Sequence, residues 1–280
     1  MNDENLSIKD ILDWYVTAGV DEIVGDVPFG KDTSAGEKAA VRIAPKPDSV
    51  VKPVGLATHP VQAESAAEGR KATTELAQAT INACKNAREL CEKAGTLEEL
   101  KELVENFEGC ALKLTATRTV FGHGSASARI MLIGEAPGAD EDRTGVPFVG
   151  RSGHLLDLIL KAAGYDREND CFISNVLPWR PPGNRTPTTA EVAVCLPFLK
   201  RQIDLVQPEA LVLLGGSAAN ALLENEEPIS RMRGKWLDYK DGSGRVIPVM
   251  ATFHPAYLLR NAGQKAKIWA DFLRLNKKIS

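Results

Sequence analysis

Four short apolar runs between residues 128 and 253 constrain this chain more than any other feature. They are ARIMLIG (128–134), CFISNV (171–176), ALVLLGG (210–216) and VIPVMATF (246–253), and each stops at Gly, Asn or His. Runs this short, apolar throughout rather than alternating, mark strands buried on both faces. Between the first three lie segments with apolar residues at helical spacing, SGHLLDLILKAAG (152–164) and AEVAVCLPFLKRQIDLV (190–206). Strands alternating with helices predict a parallel sheet covered on both sides. The expected fold class is α/β, a three-layer αβα sandwich around a short, mostly parallel sheet, with a helical N-terminal extension. Ligands in such folds bind at the carboxyl ends of the strands. Glu135, Asn175, Gly215 and His254 all sit at or just after those ends, so one pocket is expected.

The N-terminal part has a different texture. Residues 5–20 carry Leu6, Ile8, Ile11, Leu12, Tyr15 and Val16 at helical spacing, whereas residues 26–62 are rich in Pro, Gly, Lys and Asp and read as a linker. Residues 63–94 are Ala-rich with scattered Glu and Lys, a helix-forming composition. Thr96 followed by Glu99 suggests a capping box that opens another helix, running to about Phe107. The expected organisation is an extension over 1–62, a helical segment over 63–106 and a ligand-binding domain over 107–280.

Charge does not single out a partner. Residues 1–37 carry nine Asp/Glu against Lys9 and Lys31, a balance of −7; with a total of −3, residues 38–280 therefore carry +4. That bias is compatible with gripping a few phosphates rather than coating DNA. No stretch approaches eighteen consecutive apolar residues, and MNDENLSIKD lacks the apolar region of a signal peptide, so a cytoplasmic protein without a membrane span is expected. The five cysteines (Cys84, Cys91, Cys110, Cys171, Cys195) show no C-x-x-C spacing and read as reduced thiols.

The segment GEAPGADEDRTGVPFVGRSG (134–153) carries the first chemistry. Its small residues let backbone N–H groups approach a ligand closely. It matches neither G-x-G-x-x-G nor a P-loop, and Glu135, Asp140, Glu141 and Asp142 would repel phosphate. Carboxylates in such a turn suit the positioning of water or the stabilisation of a developing cation.

This segment resembles the first motif of the uracil-DNA glycosylase superfamily, most closely its family 4. The resemblance continues in order through NVLPWRPPGNRTPT (175–188), a helix containing Cys195, ALVLLGGSAANALL (210–223) and HPAYLLR (254–260), and covers about residues 107–280. It implies an enzyme that flips uracil out of DNA, hydrolyses its N-glycosidic bond and leaves an abasic site. By the same resemblance Glu135, Glu141 and His254 are catalytic, while Ala136, Phe148 and Asn175 contact uracil. Phe148 would stack on the base, and the Asn175 amide would donate to O4 and accept from N3–H. Ala136 stands where the superfamily's best-known relatives carry a water-activating Asp, which leaves Glu135 as the candidate acid. Arg180, Arg185, Ser217, Tyr257, Leu258, Leu259 and Arg260 would grip DNA, with an apolar residue of the HPAYLLR loop wedging into the helix. The implied partners are uracil-containing DNA and the abasic product, bound by a monomer.

Family 4 enzymes typically hold a 4Fe-4S cluster on four cysteines. Only Cys110 and Cys195 match those positions; Phe107 and Trp179 stand at the other two. The expectation is no metal and no cofactor, with Cys84 and Cys91 as possible but poorly spaced substitutes. Two other functions remain open at this point. One is a uracil- or abasic-DNA-binding protein with little turnover, although the basic His-bearing insertion of a covalently trapping branch is missing after Asn175. The other is an unrelated nucleotide-binding α/β domain.

Overall fold

The computed structural model describes residues 63–279, with side chains from residue 75. The helix expected over 5–20 and the linker over 26–62 lie outside the described residues. Helix α1 (Ala63–Lys93) is followed by α2 (Leu97–Asn106), whose N-cap Thr96 accepts from the Glu99 amide at 3.2 Å. The Glu99 carboxylate returns to the Gly95 amide at 2.6 Å, one residue before its place in a standard capping box.

The remaining elements follow in order: α3 (Leu112–Thr115), β1 (His123–Gly124), β2 (Ile130–Gly134), α4 (Ala139–Thr144), α5 (Arg151–Ala162), β3 (Cys171–Asn175), α6 (Thr189–Val206), β4 (Ala210–Leu214), α7 (Gly216–Leu223), α8 (Ile229–Met232), β5 (Trp236–Lys240), β6 (Val246–Thr252), α9 (Pro255–Arg260) and α10 (Lys265–Ile279). The sheet order is β1-β3-β2-β4-β6-β5. Its four inner strands are parallel, and the edge strands β1 and β5 pair antiparallel to β3 and β6.

Every residue of β2, β3 and β4 is buried, because both faces of the sheet are covered. Met131, Ile133, Leu211, Leu213, Val249 and Ala251 face one core with α2, α6 and α7. Ile130, Leu132, Ile173, Val212, Leu214 and Met250 face the other, with α5 and α10. The period of two along each strand thus feeds two cores rather than one core and solvent. Burial of each such Leu or Ile contributes about 1.5–3 kcal/mol. The architecture is the three-layer sandwich expected from the sequence.

The chain runs from β2 outward to β3, then crosses to β4 on the other side of β2. That reversal opens a crevice at the carboxyl ends of the central strands. No helix among the described residues is long and apolar enough to cross a membrane.

Candidate active site

A cleft of about 490 Å³ lies at those strand ends, lined by Glu135, Ala136, Glu141, Phe148, Asn175, His254, Tyr257 and Arg260 among others. Its floor is set by Gly134, the last residue of β2, which pairs with Asn175 on β3. A Cβ on Gly134 would stand 2.4 Å from Asn175 Oδ1 and 2.7 Å from Phe148 Cζ, so only glycine leaves room for both. Beyond the strands the pairing continues: the Val176 amide donates to Gly134 O at 2.9 Å and the Leu177 amide to Glu135 O at 3.1 Å. Asn175 is 5% exposed, and its Oδ1 is buried with no partner among the described residues. An unmet buried acceptor costs about 1–3 kcal/mol; here it borders the cleft.

Phe148 forms a wall and has φ of 54°, a left-handed conformation that costs a non-glycine residue about 1–2 kcal/mol. The turn survives because its neighbours grip it. The Glu141 Oε1 accepts from the Val149 amide at 3.0 Å and the Gly150 amide at 2.9 Å, while Oε2 accepts from the Gly138 amide at 3.1 Å. Glu141 is therefore a buried brace between two loops, with its carboxylate already engaged on both oxygens. Asp142 braces likewise, accepting from the amide and hydroxyl of Thr117 at 2.8 and 3.0 Å. Glu135 differs: it is half-buried, lines the cleft and has no hydrogen-bond partner for its carboxylate among the described residues.

His254 follows β6 and caps α9. Its Nδ1 accepts from the Ala256 amide at 3.1 Å, so the ring proton of the neutral imidazole sits on Nε2. Burial, helped by the Arg260 charge and opposed by Glu141, pushes its pKa down to about 4. The ring is neutral at physiological pH and lies 5.5 Å from the Phe148 ring. Gly215, with φ of 100°, backs it: a Cβ there would come 3.2 Å from His254 Cβ.

The rim corrects several expectations. HPAYLLR is not a loop, because Pro255 opens helix α9. As a result Leu258 turns into the core and is 0% exposed, while Leu259 is 42% exposed. Leu258 has no face to offer DNA. Arg185 is engaged by Glu191 at 2.6 and 2.9 Å, a bidentate pair that holds the Glu191 carboxyl down at about 2. Arg180 donates to Asn184 Oδ1 at 2.7 Å. Arg260 is exposed at the rim, and Tyr257 packs 4.9 Å from Phe253. Ser217 is exposed near the start of α7 but outside the cleft lining. Ser152, Asn184 and Thr186, which sequence patterns did not single out, do line it; polar residues in turns carry no local signal of a shared cavity.

A model of the uracil DNA glycosylase superfamily matches residues 121–273. The chain belongs to this superfamily. A type-4 uracil-DNA glycosylase of Thermotoga maritima is 43% identical over 177 residues, 61% of this chain and 90% of that protein. One from Pyrobaculum aerophilum is 38% identical over 62% of this chain and 90% of its own length. A type-5 uracil-DNA glycosylase of Pyrobaculum aerophilum is more distant, at 30% identity over 50% of this chain and 67% of that protein.

The iron-sulfur cluster typical of type-4 members does not fit the residues of this chain. The Cys195 thiol donates to Cys110 Sγ at 3.9 Å, which lowers the pKa of Cys110 and, with burial, raises that of Cys195 well above the usual thiol value. The other two ligand positions hold rings: Phe107 and Trp179 stack with centroids 6.4 Å apart, and Phe198 meets Phe107 edge-on at 5.0 Å. Trp179 is 1% exposed, and its Nε1 donates to Thr119 Oγ1 at 3.0 Å. Two thiols beside a packed aromatic stack offer neither four ligands nor the volume of a cluster. No group of three or more His, Cys, Asp or Glu side chains that could hold a metal ion occurs among the described residues.

Proposed function

We propose that this chain is a uracil-DNA glycosylase that extrudes uracil from DNA and hydrolyses the bond between N1 and C1′. The observation that carries the reading is the convergence of a free carboxylate (Glu135), an aromatic wall (Phe148), an unpartnered amide (Asn175) and a neutral imidazole (His254) on one cleft. Stacking on Phe148 contributes about 1–3 kcal/mol for any base. Discrimination falls to Asn175, whose Oδ1 accepts from N3–H and whose amide donates to O4; cytosine offers neither in that arrangement.

Bond breaking leaves the electron pair on uracil N1 and positive charge on the sugar. The His254 Nε2–H donates to O2 and stabilises the anion without itself needing to be charged. Glu135 stabilises the oxocarbenium ion and orients the water whose oxygen adds to C1′; the proton that this water gives up balances the negative charge left on uracil. Glu141 acts by holding the two loops rather than by touching the reacting atoms. The backbone at Ala136 borders the base, Leu259 is the wedge, and Arg260, Arg180 and Tyr257 meet the DNA. Glycosylase function here needs no cluster; stoichiometric iron with absorbance near about 400 nm in anaerobically purified protein would overturn that part.

Incubation with a uracil-containing oligonucleotide followed by alkali tests the activity. Strand cleavage at the uracil is expected. A stable gel shift without cleavage contradicts it.

A further inference from the structure

The left-handed turn at Phe148 is gripped on a second side, by a residue that does not line the cleft. Arg167 lies 19 residues on, in the loop between α5 and β3. That loop is itself fixed: Asp166 Oδ1 accepts from the amides of Glu168 and Asn169 at 3.0 and 2.9 Å, and the Asp166 amide donates to Asp170 at 2.8 Å. From this base the guanidinium reaches back. Its Nη2 donates to Pro147 O at 2.6 Å, and its Nη1 donates to Phe148 O at 3.2 Å and to Asp157 Oδ1 at 2.5 Å. The Arg167 side chain is only 16% exposed. Gly153 permits the arrangement, since a Cβ there would fall 1.9 Å from Phe148 O.

The Phe148 residue is thus held through its carbonyl by Arg167, while Glu141 takes the two amides that follow it. A rigid planar fork spreads its donors over two nitrogens and so spans two carbonyls and a carboxylate at once, whereas an ammonium offers its three donors from a single point on a flexible stem. We propose that Arg167 is a positioning residue for base recognition: braced by Asp157, it holds the Pro147 and Phe148 carbonyls so that the Phe148 ring stays a wall of the cleft. The assignment rests on Phe148 being the surface on which uracil stacks.

Inhibition of oligonucleotide cleavage by free uracil reads base affinity apart from DNA grip. Arg167→Ala is expected to weaken that inhibition and to raise KM about 10-fold, with kcat changed about 3-fold or less. Phe148→Ala gives a comparable loss, and the double variant loses no more than Phe148→Ala alone, because both remove the same wall. Arg167→Lys behaves like Arg167→Ala, and added guanidinium ion restores inhibition in Arg167→Ala but not in Phe148→Ala. A general loosening of the fold would weaken uracil equally in the Phe148→Ala background, and such multiplying losses overturn the proposal. So does unchanged inhibition in Arg167→Ala when Phe148→Ala is impaired. Unchanged inhibition in Phe148→Ala itself means that the stacking role is wrong, and the Arg167 assignment falls with it. If Arg167→Ala does not fold, Asp157→Asn, at a partly exposed carboxylate, carries the same test with the same signs and a smaller effect.

Discussion

The cleft at the strand tips and the corner packed around Phe107 and Trp179 use buried groups in opposite ways. At the corner, rings stack, the Trp179 Nε1 has its acceptor and the two thiols pair with each other. In the cleft, Asn175 Oδ1 lacks a partner, Phe148 holds a left-handed backbone and His254 is stripped of its charge by burial. The first two cost folding free energy at any pH, and the third costs it once the pH falls below 6.5, where the unfolded ring takes up a proton that the folded one refuses. A chain retains such costs where a ligand supplies the missing partner. The corner therefore contributes stability, and the cleft draws on it.

Substitutions should separate the two regions. The largest effect is expected from Glu135→Ala or His254→Ala, each slowing single-turnover cleavage of a uracil oligonucleotide by about 10²-fold or more, with thermal unfolding little changed. Phe107→Ala or Trp179→Ala should do the reverse, costing about 3–5 kcal/mol in denaturant unfolding while the folded fraction still cleaves. Loss of cleavage in fully folded Trp179→Ala would break the comparison.

The pH response sharpens it. Unfolded His254 titrates near 6.5, and in the fold it titrates at about 4. The fold favours the neutral ring, so this contribution is complete above pH 6.5 and is lost as pH falls from there towards 4. His254→Gln should flatten that part of the stability profile, and an NMR titration of the ring with a midpoint near 6.5 would contradict the assignment. The smallest effect belongs to Arg185→Ala. Its charge is already matched by Glu191, so KM for uracil DNA and its salt dependence should shift by about 3-fold or less.

Much of this was legible in the sequence, for identifiable reasons. The inner strands β2, β3, β4 and β6 announce themselves as apolar runs, and the residues just past their ends are those that meet in the cleft. The edge strands β1 and β5 were missed: the first has two residues, and the second, WLDYK, mixes half-buried, exposed and buried positions in no clean alternation. Helix α9 is six residues long, too short for a period to show, and so Leu258 was expected at the DNA surface rather than in the core. The acids of the first motif look alike in sequence. What distinguishes Glu135 from Glu141 is which backbone amides lie within 3 Å, and those amides belong to residues up to nine positions away. Arg167 had no local signal at all, because its acceptors are 10, 19 and 20 residues distant.

A crystal structure of the chain with free uracil tests the central claim most directly. The base should lie against the Phe148 ring, with Asn175 Oδ1 accepting from N3–H and His254 Nε2 donating to O2. Uracil bound elsewhere, or absent at concentrations that inhibit cleavage, would contradict it.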